Sequence, residues 1–322
     1  MAWQCGSMPS DGVGQEAGHP LDWVKIRWGQ DAVARVVRRT PITNGYSSPS
    51  VERLDLLIEM GDGTAVKRQV LRKHATEAEV TVLRALRDVT DTRASALPRL
   101  LADGTDAAGP WVVLPFYPGN APASEADVSD DVLESLAVVH VRHVNATLPG
   151  LPVVDGTWWD NGFRHVDRRL SELLPFASEP APLHEALDLV RSLRGDPLLV
   201  RTPERLSRTL VHGDIHANNI LAGPAGAKII DWGAGTLGPA MLDLANLVAP
   251  GSPRFAVYVE AWEATAGRAL DLPRANLEYQ WATACVNIKY LGFAAHHLGG
   301  DAVREMLRRA RGALDALARS EV

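Results

Sequence analysis

The segment that most restricts this chain is His212-Gly213-Asp214-Ile215-His216-Ala217-Asn218-Asn219, set between the apolar runs Thr209-Leu210-Val211 and Ile220-Leu221. A second apolar run, Lys228-Ile229-Ile230, leads directly into Asp231-Trp232-Gly233. Two short strands flanking Gly223 to Gly226 read as a tight hairpin. That hairpin brings an Asp, an Asn and a second Asp into one compact unit. Oxygen donors of this kind suit a hard divalent cation, and a loop carboxylate suits acceptance of a hydroxyl proton. Phosphoryl transfer from a nucleotide needs both.

Composition agrees with a folded globular chain and excludes several alternatives. Hydrophobic residues make up 46% and charged residues 22% of 322 residues, the balance of a globular chain. A net charge of −6 speaks against nucleic acid or an anionic membrane surface as partner. Cys5 and Cys285 are too few and too far apart for a disulfide framework or a metal cluster, which points to a reducing, cytoplasmic setting. No run approaches the roughly 18 apolar residues of a membrane span. Residues 1–20 carry no apolar core and read as a flexible leader.

Periodicity divides the rest. Residues 21 to 39, with Trp23, Ile26, Trp28, Val33, Val36 and Val37, read as a helix interrupted at Gly29. Residues 45 to 73 read as strand, turn and strand about Gly61-Asp62-Gly63. Thr76 and Glu79 have capping-box spacing at the start of a helix carrying Val80, Leu83 and Leu86. The apolar strand Trp111 to Leu114 ends at Pro115-Phe116-Tyr117-Pro118-Gly119. The expected divisions are a sheet-rich lobe over 21–114, a hinge over 115–119 and a helical lobe over 120–322. In the last, helices are expected near 129–147, 164–176, 183–193 and 301–319.

With those residues in view, the chain resembles the aminoglycoside phosphotransferase and choline kinase family, relatives of protein kinases whose signature is H-R-D-x-x-x-x-N followed by D-F-G. The resemblance implies an α+β, protein-kinase-like bilobal fold, with a small antiparallel-sheet N-lobe and a larger helical C-lobe. It implies ATP and Mg2+ as cofactors and transfer to a hydroxyl. Asp214 would be the catalytic base, Asn219 and Asp231 would hold the metal, His212 would fix the loop, and Asp243 would brace it from the next helix. Asn44 to Ser48, with Gly45, Ser47 and Ser48, resembles the family's nucleotide-positioning loop. Pro115, Phe116 and Tyr117 would lie along the adenine. A basic residue at the end of the third strand should meet the phosphates and pair with Glu79. Arg72 is preferred, because alternation places it with Val70, whereas Lys73 would need a bulge or a shifted register. The connection to Glu79 is shorter than the family commonly has.

The acceptor is the least determined part. Acids and aromatics at Trp158, Trp159, Asp160, Glu260, Glu263 and Trp281, with His216 beside the loop, would suit an amino-sugar or polyamine through charge pairing and cation–π contact. The expectation is therefore an antibiotic phosphotransferase conferring resistance, for aminoglycosides first and nucleoside, peptide or macrolide antibiotics after them. The alternatives are a metabolic kinase for an amino alcohol or sugar, and a non-catalytic kinase-like binding module. A monomer or homodimer is expected. His296 and His297 are read as structural, since adjacent histidines on a helix diverge.

Overall fold

The structure is a computed structural model, and it describes residues 20–42, 51–89 and 91–320. The N-terminal part holds α1 (Trp23–Trp28), β1 (Val33–Pro41), β2 (Val51–Glu59), β3 (Ala65–His74), α2 (Glu77–Arg87), β4 (Ala102–Asp106) and β5 (Gly109–Pro115). Its strands form one antiparallel sheet in the order β1-β2-β3-β5-β4. Leu54, Leu56 and Ile58 alternate along β2 and are all buried, so a period of two builds one face of the sheet. That face closes over Val70, Trp111 and Val113 and is covered by Trp23 and Val24 of α1. The opposite face, through Val112, joins α2 and the large core. The hairpin turn forms as its residues require: Gly63 has φ 83°, and Thr64 donates from both N and Oγ1 to Asp62 Oδ1.

The helix expected over 21–39 is corrected. It stops at Trp28, Gly29 takes φ 101°, and the Ala32 N–H donates back to the Gly29 carbonyl. Residues 33–41 are instead a strand on β2. Val33, Val36 and Val37 have helical spacing, but pairing with β2 overrides it, with a bulge between Val36 and Arg38 that leaves Val33 and Val37 exposed.

After irregular chain the second part continues with α3 (Asp130–Arg142), α4 (Gly156–Leu173), α5 (Pro180–Ser192) and α6 (Pro197–Arg205). Strands β6 (Thr209–Val211), β7 (Ile220–Gly223), β8 (Gly226–Ile229) and β9 (Thr236–Gly238) follow. The remainder is α7 (Met241–Leu244), α8 (Pro253–Ala266), α9 (Leu272–Lys289), α10 (Leu291–His297) and α11 (Gly300–Ser320). β7 and β8 make the expected hairpin, while β6 pairs with β9. α4 begins at Gly156, ahead of the helix expected from 164, because Asp155 caps the Trp158 N–H.

Backbone meets backbone behind the hinge. Asn120 exchanges both hydrogen bonds with Ala222, at 3.1 and 2.9 Å. A Cβ on Gly223 would lie 2.1 Å from the Pro118 carbonyl oxygen, so only glycine allows the approach. No helix among the described residues is long and apolar enough to cross a membrane.

Candidate active site

The loop between β6 and β7 is held by buried polar groups. Asp243 on α7 is fully buried, and its carboxylate accepts the His212 N–H at 2.8 Å and the Gly213 N–H at 2.9 Å. The same carboxylate meets His140 Nε2 at 3.2 Å, and His140 Nδ1 meets the Tyr258 hydroxyl at 3.0 Å. Burial by itself would raise the Asp243 carboxyl, but the hydrogen bond and charge of His140, with the His212 contacts, hold it below its ordinary value. Asp243 is thus an ionised group tied to the backbone at His212 and Gly213. Beneath α7 the buried Glu278 accepts the Met241 N–H at 2.9 Å, and burial pushes its carboxyl up to about 7.

His212 takes one tautomer. Its Nε2 lies 2.8 Å from the Ile230 carbonyl and must donate, leaving Nδ1 to accept the Asp214 N–H at 3.3 Å. Its ring packs 4.7 Å from Trp232, which is buried and donates Nε1–H to the Ile229 carbonyl. Gly213 has φ 76°, and a Cβ there would lie 2.5 Å from the Ala234 carbonyl oxygen. The arginine of the protein-kinase signature could not stand in this backbone.

Asp214 keeps its carboxylate partly exposed. Asn219 donates Nδ2–H to the Asp214 carbonyl at 2.8 Å, which fixes the amide and leaves Oδ1 as its outward end. Asp231 sits at φ 60°, ψ 60° and is one of two non-glycine residues with positive φ among those described. A non-glycine residue held there marks a backbone over-determined by its surroundings.

The strand cation is Lys73, which corrects the preference for Arg72. Lys73 Nζ lies 2.9 Å from Glu79 Oε1 and 2.7 Å from Asp231 Oδ1. β3 runs without a bulge through His74, so alternation does put Arg72 with Val70. That face, however, is the one covered by α1, and Arg72 binds Glu52 and Asp106 there. Lys73, paired with Val112, faces the other way. Burial would lower the Lys73 ammonium, yet Glu79 and Asp231 raise it above its ordinary value. Burial would likewise raise Asp231, but Lys73 holds it low, whereas Glu79 is left raised by burial. Half of the capping box forms: Thr76 Oγ1 accepts the Glu79 N–H at 3.1 Å. The Glu79 carboxylate goes to Lys73.

At the hinge, Pro115 pairs with Val70 and the Phe116 N–H donates to the Gln69 carbonyl at 3.1 Å. The Arg53 guanidinium lies 5.2 Å from the Phe116 ring. Tyr117 is committed elsewhere, its hydroxyl accepting the Arg99 N–H at 2.8 Å and its ring facing Lys228. Gly45, Ser47 and Ser48 lie outside the described residues.

The expected acceptor residues do not assemble. Trp159 and Trp281 are core, with rings 5.9 Å apart, and Trp281 donates Nε1–H to the Leu199 carbonyl. Trp158 packs edge-on against Trp159. Asp160 is bound by Arg164 and Arg194, and Glu263 accepts the Leu270 N–H. Glu260 is exposed on α8. His216 alone stays beside Asp214, half-buried, with burial lowering its pKa against the pull of the Asp214 charge. His296 and His297 are exposed, their rings in contact at 4.3 Å, so they do not diverge as expected. The residue the sequence reading missed is Lys289, whose Nζ lies 3.7 Å from Asp214 Oδ1. It is one lysine at a helix end, with no motif to announce it.

A two-part kinase-like fold with this loop defines a phosphotransferase. Residues 38–277 match the APH phosphotransferase enzyme family, and the chain belongs to that family. It is 30% identical over 230 residues to the probable acyl-CoA dehydrogenase IBR3 of Arabidopsis thaliana, a match covering 63% of this chain but only 26% of that protein. Among solved structures, choline kinase from Cryptosporidium parvum Iowa II superposes with a TM-score of 0.56 at 10% identity, over 91% of each chain. An aminoglycoside phosphotransferase from Alicyclobacillus acidocaldarius gives 0.48 at 15% identity, over 96% of this chain and 98% of that one.

Proposed function

We propose that this protein transfers the γ-phosphoryl group of ATP to a hydroxyl of a small molecule, with magnesium. The observation that carries the reading is the Lys73 ammonium joining Glu79 of the sheet lobe to Asp231 beside the Asp214 loop. That contact links the two halves of a phosphoryl-transfer site. An intact strand–helix ion pair supports a catalytic site over a non-catalytic binding module.

In this reading Asp214 accepts the proton of the acceptor hydroxyl as its oxygen bonds to the γ-phosphorus. The bond from that phosphorus to the β–γ bridging oxygen breaks, and ADP leaves. Asp243 and His212 keep Asp214 in place, so little reorganisation is needed during transfer. Lys73 is positioned to exchange Asp231 for phosphate oxygens. Asn219 Oδ1 and the ionised Asp231 carboxylate fit magnesium, a hard ion content with one or two protein oxygens plus phosphates. When bound, magnesium would neutralise charge on the β- and γ-phosphates.

Two observations move the acceptor away from an aminoglycoside and toward a hydroxylated metabolite. Of the tryptophans meant to receive an amino-sugar, Trp159 and Trp281 are core and Trp158 is half-buried against it, and Asp160 and Glu263 are already partnered. The IBR3 match, over 26% of that protein, is to one named for acyl-CoA chemistry rather than for antibiotics.

The test is magnesium-dependent ATP consumption against a panel of hydroxylated metabolites and antibiotics, with Asp214→Ala as control. Turnover that falls at least about a hundredfold in the control is expected. Absence of Mg·ATP binding by the wild-type chain would refute the reading.

A further inference from the structure

The side of the sheet turned toward the Asp214 loop carries a second cation that the transfer scheme leaves unused. Arg53 on β2 pairs in register with Leu71 on β3, and Val51 pairs with Lys73. Residues opposite one another in an antiparallel pair share a face, as do alternate residues of one strand. Arg53 and Leu71 therefore lie on the face of Lys73, away from Leu54, Leu56 and α1. The Arg53 guanidinium stands over the Phe116 ring, 5.2 Å from its centre. Phe116 follows β5, which is two strands from β2, about 10 Å at the usual spacing. The side chain thus reaches over β3 and lies along the sheet between Lys73 and the hinge.

Hydrogen bonds do not hold it there. Its ion-pair partner, Asp55 Oδ1, is 3.6 Å from Nε, beyond hydrogen-bonding distance, and already accepts from Gln69 Nε2 at 2.7 Å. Nε is buried without an acceptor among the described residues, and so is Oγ1 of Thr40, the partner of Arg53 on β1. The Arg53 side chain nevertheless keeps 27% of its surface open. A guanidinium is a flat, weakly hydrated cation that stacks on aromatic rings. Resting on Phe116 and still part open, it offers a planar seat to a second aromatic ring.

A nucleotide held by its phosphates at Lys73 brings such a ring. Its sugar carries the base away from the phosphates, toward the hinge. The next row of side chains met on that face is Leu71 and Arg53.

We infer that Arg53 contacts the nucleobase: its guanidinium, backed by Phe116, stacks on the base and supplies a share of nucleotide affinity that the phosphates do not. The inference rests on the phosphotransferase reading and goes beyond it, because the residues placed there hold only the phosphates, the metal and the acceptor proton.

Calorimetric titration of the full chain with magnesium tests it, using ADP and inorganic tripolyphosphate as probes. ADP carries a base, and tripolyphosphate is the phosphate chain alone. Arg53→Leu should weaken ADP binding about fivefold or more, the share of a cation–π stack, and leave tripolyphosphate within about twofold. Arg53→Lys keeps the charge but loses the plane, and should weaken ADP about threefold or more. Equal weakening of both probes would make Arg53 a structural or purely electrostatic residue and overturn the inference. So would wild-type ADP affinity in either variant, or tighter ADP binding by Arg53→Leu, which would mean that the guanidinium blocks the place of the base. Those results fail the inference alone, since the wild-type chain still binds ADP. Binding of neither probe by the wild-type chain would instead fail the phosphotransferase reading, and the inference with it.

Discussion

Glu278 makes stability depend on pH in a way that one substitution isolates. Its ordinary carboxyl value is 4.5, and burial under α7 moves it to about 7. Below about pH 4.5 the group is protonated in both folded and unfolded chains, and its contribution is fully present. Between about 4.5 and 7 only the unfolded chain ionises, so unfolding releases a proton and stability falls by about 1.4 kcal/mol per pH unit. Above about 7 both states are ionised and the loss is complete, at about 3 kcal/mol. Unfolding entropies of about 2.1 cal/mol/K per residue convert this to a thermal midpoint lower by about 4 °C. Glu278→Gln keeps an oxygen for the Met241 N–H and removes the titration. Midpoints of wild type and variant, measured by calorimetry from pH 4 to 8.5, should diverge in favour of the variant through the window and run parallel above it. A constant offset reflects the swap of O–H for N–H2 and is irrelevant. Curves that stay parallel throughout would refute the argument, because every other titrating group is common to both proteins.

Three further outcomes are expected. Lys73→Met should weaken binding of a fluorescent ATP analogue at least tenfold and lower stability by about 3 kcal/mol, because Glu79 loses its buried partner; Arg72→Met, on the other face of β3, should change nucleotide affinity less than threefold. Asp243→Ala should cost about 3–5 kcal/mol in urea unfolding, since the His212 and Gly213 N–H groups and His140 are left without their acceptor. Asp231→Ala should abolish the magnesium dependence of nucleotide binding, measured by titration with and without the metal, and unchanged dependence would remove Asp231 from that role.

What the sequence made legible was local. His212, Asp214, Asn219 and Asp231 fall within one hairpin's reach, so spacing alone brings them together, and Asp243 follows one short strand later. Glu79 was legible as a helix-start residue for the same reason. The choice between Arg72 and Lys73 was not, because it depends on which sheet face α1 covers, and residues distant in the chain decide that. Lys289 was hidden by distance: its contact with Asp214 crosses the whole of α7 to α9. Trp159 and Trp281 misled because an aromatic beside acids looks the same in sequence whether it lines a pocket or fills a core. Residues 33–39 misled because their valines have helical spacing, and the strand they form on β2 absorbs the mismatch in a bulge between Val36 and Arg38.

The contact between Gly223 and Pro118 constrains how the cleft can breathe. Because Asn120 is laced to Ala222 and the neighbouring backbones touch, the stretch after Pro118 travels with the Asp214 hairpin as one piece. A second tie lies at Ala96, whose carbonyl accepts the Ile229 N–H at 2.8 Å and whose N–H donates to Ser135 Oγ at 2.9 Å. With α2 sharing the large core as well, the base of the sheet lobe is fastened on both sides of the cleft, and the strands beyond it are the part left to move.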